Sequence, residues 1–423
     1  MKILLISWYF PPVNDVAALR TGAIAAFLHE KGHQVFVITA ERRTADESLT
    51  VPLPAERIVR TPWFDINRMR RADAVVPAQA GLQSGSTKKK FAKLRARASS
   101  TYSDLIHVPD RQFGWYRPAV AAARDLVGRE GIELVYASGP PFTTHLIAKA
   151  VAGACRIPWV AEYRDGWSGD FYKPRPRWRQ RLDQAIETHT IKSAAGIVAV
   201  IEPWAEYYSA RYAKPTATIC NGVDEREVMS AMRQAAPQSP VTITYFGILY
   251  NGLRDPSVLY DAIRRSQLPP SSLEVNFYGP SEAEVRSLAG RFGVDCHVKV
   301  KARVSHAESL RIQRQSDILL LLQAPGDPRN VPAKLYEYLG SQRPILGIGL
   351  DDGVPASLIR ERNAGLYASD PDVIARQLLT WSSEKKTTGV IADAPSSARA
   401  GLSRSEQFAA LERFLTGVTA YRG

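Results

Sequence analysis

Cysteine is scarce in this 423-residue chain. Cys155, Cys220 and Cys296 are scattered and show no paired spacing. That excludes a cysteine-based zinc motif and fits a reducing compartment such as the cytoplasm. Long apolar runs are also missing. No stretch of about 18 or more apolar residues occurs, so no membrane-spanning helix is expected. The apolar Met1–Ser7 lacks a cleavage site and runs into a Pro-rich turn, so it reads as a first strand rather than a signal peptide. No G-x-G-x-x-G follows that strand and no Walker A sequence is present, which argues against a nicotinamide dehydrogenase and a P-loop enzyme. His29, His33 and His107 have no ligand spacing, so no zinc site is expected. Asp370-Pro-Asp372 is nominally Asp-x-Asp but falls in a late surface turn.

Negative charge is in short supply. The net charge is +13, and two short stretches supply most of it. Between Asp65 and Thr101 stand nine Lys/Arg against two acids, among them Lys88, Lys89, Lys90 and Lys93. Between Asp170 and Arg181 stand five (Lys173, Arg175, Arg177, Arg179, Arg181) against one acid. Phe91, Phe171, Tyr172 and Trp178 are interleaved with them. Basic residues mixed with aromatics suit an anionic lipid surface or nucleic acid. A solvated loop is the alternative for the 65–101 stretch.

What the chain does contain is a regular alternation of short apolar runs and amphipathic stretches. Lys2–Ser7, a helix over Ala17–Lys31 closed by Gly32, and Gln34–Thr39 make a βαβ unit with a right-handed crossover. Strands follow at Glu133–Ala137, Trp159–Glu162, Ile197–Val200 and Ala217–Cys220. A second set occupies Thr242–Phe246, Glu274–Tyr278, His297–Val300, Ile318–Leu322 and Ile345–Ile348, separated by helices. The predicted fold is α/β, with two Rossmann-like doubly wound domains in series: 1–215, then 216–402, with a final helix in 403–423.

One run carries chemistry. Asn330-Val-Pro-Ala-Lys-Leu-Tyr-Glu-Tyr-Leu-Gly-Ser-Gln-Arg-Pro-Ile-Leu-Gly-Ile-Gly349 reads as loop, helix start, short amphipathic helix, turn and core strand. Pro332 fits the first helical position. The N–H groups of Ala333, Lys334 and Leu335, with the Lys334 charge, then make an end suited to a diphosphate. Glu337, about one turn on, is placed to accept hydrogen bonds from a ribose diol. Thr244-Tyr-Phe-Gly-Ile-Leu-Tyr-Asn-Gly-Leu-Arg-Asp-Pro256 is a strand, a Gly-bearing loop and a helix start. Gly247 permits close approach of a diphosphate, and Arg254 can reach it as a bidentate cation or else pair with Asp255 or Asp261. Ala161-Glu-Tyr-Arg-Asp-Gly-Trp167 ends a strand, where ligands bind in open α/β sheets. There Asp165 is a candidate to accept or orient a hydroxyl proton; the alternative is a structural role, capping the next helix or pairing with Arg164.

The 330–349 run resembles the donor-site segment of GT-B glycosyltransferases, in particular the retaining family 4, whose members carry Pro-x-Lys-Leu-x-Glu-Tyr-Leu followed by Pro-Ile or Pro-Val. Trp8-Tyr-Phe-Pro-Pro12, Arg164-Asp-Gly-Trp167 and Asn221-Gly-Val-Asp224 are similar to further segments of that family. The resemblance implies that Glu337 holds the nucleotide ribose and that Arg254 neutralises the leaving diphosphate. It implies that Gly279, in Tyr278-Gly-Pro280, flanks the base and that Val304 lies against the base ring. It implies an acceptor side that includes Asn14, Arg164 and Trp167, and a last helix that crosses back to the first domain. Two departures stand out: Arg329 occupies the place of an acidic residue eight positions before Glu337, and Val13-Asn-Asp-Val16 replaces the usual glycines.

The function these features imply is a metal-independent, retaining hexosyl- or N-acetylhexosaminyltransferase without a cofactor. It would act at the cytoplasmic face of the inner membrane and take a nucleotide-diphosphate sugar, UDP before GDP. The acceptor would be a lipid-linked or surface-glycan intermediate. Asp165, Arg254 and Lys334 are the candidate catalytic residues. Gly247, Gly279, Val304, Pro332, Ala333, Leu335 and Glu337 are the candidate donor-binding ones. The alternatives are a nucleotide-sugar epimerase of the same fold and a basic nucleic-acid-binding protein.

Overall fold

The computed structural model describes residues 1–42, 46–65, 106–168, 175–223, 238–249, 252–325 and 331–420. These form two compact units, Met1–Ile219 with Phe408–Gly423, and Cys220–Gln407. The first unit thus closes at Ile219 rather than at 215, because Thr216–Thr218 is the last strand of its sheet.

The first unit is a seven-stranded parallel sheet. Its strands are β1 (Lys2–Ser7), β2 (Gln34–Ala40), β3 (Ile58–Thr61), β4 (Leu134–Gly139), β5 (Trp159–Tyr163), β6 (Gly196–Ala199) and β7 (Thr216–Thr218). Their order is β3-β2-β1-β4-β5-β6-β7. Central strands of a parallel sheet are covered on both faces, so they read as continuous apolar runs, as Lys-Ile-Leu-Leu-Ile-Ser does. The order reverses between β1 and β4, which is the switch point of the sheet. Helices α1 (Val16–Glu30), α2 (Tyr116–Glu130), α3 (Thr143–Cys155), α4 (Arg177–Ile191) and α5 (Glu202–Tyr212) connect the strands. Asp15 starts α1 by accepting the Ala17 N–H at 2.8 Å.

The second unit is a six-stranded parallel sheet. Its strands are β8 (Val241–Phe246), β9 (Leu273–Tyr278), β10 (Val298–Lys301), β11 (Ile318–Leu322), β12 (Ile345–Ile348) and β13 (Gly365–Tyr367). The order is β10-β9-β8-β11-β12-β13, with the switch point between β8 and β11. Its helices are α6 (Ser257–Ser266), α7 (Glu282–Phe292), α8 (His306–Gln315), α9 (Ala333–Ser341), α10 (Val354–Glu361) and α11 (Pro371–Thr388). The last helix, α12 (Arg404–Ala420), returns to the first unit. Phe408, Leu411, Leu415 and Val418 join Ile3, Leu5 and Val35 in one core. Four apolar side chains at i, i+3, i+7 and i+10 form the stripe that an amphipathic helix buries.

Candidate functional site

In the second unit the predicted residues gather at the C-terminal ends of β8 and β9, beside the switch point. Gly247 follows β8 with φ 138° and donates its N–H to Tyr278 O at 3.1 Å. Gly279 follows β9 with φ 99° and donates to Lys301 O at 3.2 Å. Both are in the backbone region that glycine alone occupies easily. A Cβ on Gly247 would lie 3.5 Å from Arg254 Nη1 and 3.3 Å from Tyr245 Oη, so the guanidinium sits close to this turn. A Cβ on Gly279 would lie 3.5 Å from Gly247 O, so the two turns approach as bare backbone. The acids weighed as partners of Arg254 make further contacts of their own. Asp255 accepts the Ser257 N–H at 2.8 Å, and Asp261 pairs with Arg264 at 2.5 Å and Arg265 at 2.8 Å.

Helix α9 supplies the next part. Pro332, with φ −59° and ψ 134°, is the N-cap, so the helix begins one residue later than the sequence suggested. The Leu335 N–H donates to Pro332 O at 2.9 Å, and the Leu335 side chain is fully buried. The N–H groups of Ala333 and Lys334 stand at the helix start, ahead of Leu335. Lys334 Nζ lies 5.6 Å from the centre of the Phe246 ring and 3.7 Å from Glu337 Oε2. Glu337 Oε2 also accepts from Gln313 Nε2 at 2.9 Å. Phe246 stacks on Tyr278 with ring centres 5.0 Å apart, and Val304 packs against the same cluster. Arg329 and Asn330 lie outside the described residues, as does Asp224.

The predicted residues of the first unit are arranged differently. Arg164 turns its guanidinium onto the backbone, donating from Nε to Gly139 O at 3.3 Å and from Nη2 to Pro140 O. Burial pulls its pKa down, while Glu162 and Asp165 push it up. Trp167 is 4% exposed and stacks on Phe142 at 4.8 Å, so it is a core side chain rather than a ligand contact. The Asn14 Nδ2 donates to Asp46 Oδ2 and Ser48 Oγ, each at 3.0 Å. Asp165 alone of this group is exposed.

The sequence reading missed the charge beneath these residues. Glu162 is fully buried on β5, pairs with Arg20 at 2.8 Å, and accepts from Tyr136 Oη at 2.6 Å and from Ser138 Oγ. Burial alone would raise its carboxyl, but Arg20 and the two hydroxyls outweigh it and the pKa falls. The signal was present: an acid in the middle of the apolar Trp-Val-Ala-Glu-Tyr strand cannot be buried without a partner. Gln313, fully buried on α8, was missed as well. It lies 24 residues before the carboxylate it touches.

The basic stretches need correction too. Arg179 is buried and pairs with Asp183 at 2.9 Å, and Arg175 reaches the same carboxylate at 2.5 Å. These two cations build the protein and do not form a charged face. Arg177 and Arg181 are exposed on α4, beside Trp178 and Leu182, 43% and 38% exposed. Lys173, Phe171 and Tyr172, and the 65–101 stretch beyond Asp65, lie outside the described residues. Asp370 caps α11 through the Asp372 N–H at 2.8 Å, and Asp372 pairs with Arg265 at 2.8 Å. Among the described residues no group of three or more His, Cys, Asp or Glu could hold a metal ion, and no helix is long and apolar enough to cross a membrane.

Residues 85–227 match the family model described as Glycosyltransferase Family 4. No curated protein matches the chain by sequence. Among solved structures, sucrose-phosphate synthase from Thermosynechococcus elongatus is similar with a TM-score of 0.66 at 14% identity, over 100% of both chains. Anabaena HepE in complex with UDP is similar with a TM-score of 0.61 at 14% identity, over 99% of this chain and 100% of that one. The lipopolysaccharide outer core galactosyltransferase WaaB is similar with a TM-score of 0.59 at 14% identity, over 99% of each chain. Likeness at such identity establishes the fold. That fold is the two-sheet GT-B fold of the glycosyltransferases, and within it residues 85–227 carry the sequence pattern of family 4.

Proposed function

We propose that the chain is a retaining glycosyltransferase. It takes a sugar from a nucleotide-diphosphate sugar, UDP-linked in first place, and passes it to a lipid-linked or surface-glycan acceptor. One observation carries this reading. Two bare glycine turns, a guanidinium and a lysine-bearing helix start meet at the strand ends of the second unit, beside a half-buried carboxylate. Glycine turns admit a diphosphate against the backbone. Arg254, Lys334 and the helix start stabilise the charge that grows on it as the bond to the anomeric carbon breaks. Glu337 accepts from the ribose diol. The oxygen of the acceptor hydroxyl forms the new bond to that carbon, and Asp165, an exposed carboxylate of the first unit, is the group we assign to the acceptor. The departing diphosphate takes the hydroxyl proton, and no metal enters. The family match and the UDP complex of a protein with this fold support the donor class. The exposed Arg177, Trp178, Arg181 and Leu182 of α4 support contact with an anionic membrane surface.

A thermal-shift series with UDP, GDP, ADP and CDP tests the reading, since a ligand of the folded state raises the midpoint by mass action. The expected result is a shift with UDP that EDTA leaves intact. No shift with any nucleotide would overturn the reading, and a shift only with added magnesium or manganese would overturn its metal independence. Equal sedimentation with neutral and anionic vesicles would remove the membrane contact and leave the donor assignment standing.

A further inference from the structure

The contact between Gln313 and Glu337 goes one step beyond this reading and rests on it. Glu337 presents two carboxylate oxygens. Oε2 is held by Gln313 Nε2 at 2.9 Å and faces Lys334 Nζ at 3.7 Å. Oε1 has no hydrogen-bond partner among the described residues. Gln313 itself is fully buried, and its own Oε1 is buried without a donor among the described residues.

That last fact is informative. A buried amide serving only the packing of α8 would satisfy both of its ends, or be replaced by an apolar side chain of the same volume. Here one end is left unpaired so that the other can meet a carboxylate. The opposite orientation of the amide would set oxygen against oxygen. The carboxylate therefore dictates how Gln313 lies, and Gln313 in turn fixes the carboxylate.

We propose that Gln313 is a positioning residue that sets the preference of this site for a ribose over a 2′-deoxyribose. By pinning Oε2 it fixes the torsion of the carboxylate and leaves Oε1 as the acceptor for the sugar diol. Without the pin, Glu337 rotates and swings toward Lys334, whose ammonium lies three residues back on the same helix. The diol contact then loses its geometry while the diphosphate contacts are kept.

The test compares affinity for the ribo and 2′-deoxy forms of whichever of UDP, GDP, ADP and CDP binds the wild type most tightly. Wild type should prefer the ribo form by roughly tenfold or more, the size of one charge-assisted hydrogen bond. Gln313→Met, which keeps length and burial and lacks the N–H, should bring that ratio close to one. The deoxy form should keep its affinity and the melting midpoint should stay near the wild-type value. Gln313→Asn, too short to reach Glu337, should behave the same way and serves if the Met variant does not fold. Glu337→Ala should also abolish the ratio, and adding Gln313→Met to it should change nothing further. If Glu337→Ala abolishes the ratio and both Gln313 variants keep it, the positioning role is overturned and the nucleotide site stands. If Glu337→Ala keeps the ratio, or no nucleotide binds, the ribose assignment itself fails, and this inference with it.

Discussion

The two sheets obey one topological rule and end in opposite chemistry. Each reverses its strand order next to its first strand, between β1 and β4 in the first unit and between β8 and β11 in the second. Each therefore offers the same kind of crevice at its strand ends. In the second unit that place is lined by bare backbone at Gly247 and Gly279 with Arg254 beside it. In the first, two cations are turned inward: Arg164 donates to the Gly139 and Pro140 carbonyls, and Arg20 is locked onto Glu162. Topology says where a ligand can sit. What the backbone and side chains present at that place differs between the two sheets.

The comparison breaks most sharply at Glu162. Removing one partner of a buried ion pair leaves the other charge unsolvated, so Glu162→Ala should destabilise the first unit by about 3–5 kcal/mol. Denaturant unfolding would show it. Nucleotide affinity at the second unit should stay within a few-fold, measured by calorimetry under conditions where the variant remains folded. A stable variant with lost nucleotide binding would reverse the assignment of scaffold and site.

Arg254 sharpens the other side. A cation aimed at charge that develops only as the diphosphate departs acts mainly in the transition state. Arg254→Ala should lower turnover by about 10²–10³-fold, roughly 2.7–4 kcal/mol, with a much smaller change in donor affinity. Steady-state kinetics separates the two. Equal losses in both would make Arg254 a plain binding group.

The contrast also explains what the sequence could and could not reveal. Every central strand was legible as an apolar run, because both faces of it are covered. β3 and β13, Ile-Val-Arg-Thr and Gly-Leu-Tyr, were not foreseen: they are short edge strands with one neighbour each, and neither is long enough to show a period. The glycine turns were legible because a positive φ is a local property. How Arg164, Trp167 and Asn14 bond and pack within the protein was not, because saturation is a tertiary fact. A backbone carbonyl brought from β4, a ring from Phe142 or a carboxylate from Asp46 leaves no mark in the neighbouring sequence. Gln313 was invisible for the same reason.

His145 provides the gentlest test, and it touches the first unit alone. It is fully buried beneath the β5 end, donates from Nε2 to the Glu162 carbonyl at 3.0 Å, and is held neutral by burial, which lowers its pKa to about 4. An unfolded chain takes up the proton near pH 6.5, where the folded chain refuses it. The unfolded state therefore binds more protons between these values, and folding stability falls as pH drops through that window. The loss from this one group should be roughly 2 kcal/mol between pH 7 and pH 5. Asp110 and Glu187, whose carboxyls burial holds up, act in the opposite sense, so the raw pH profile mixes the three. The difference between wild type and His145→Gln isolates the histidine. That difference should narrow as pH falls from 7 to 5 and should be unchanged by added nucleotide, because the two strand-end sites are separate in chemistry. A constant difference would mean that the imidazole accepts its proton in place, and that the ground under the first site is less closed than its ion pair implies.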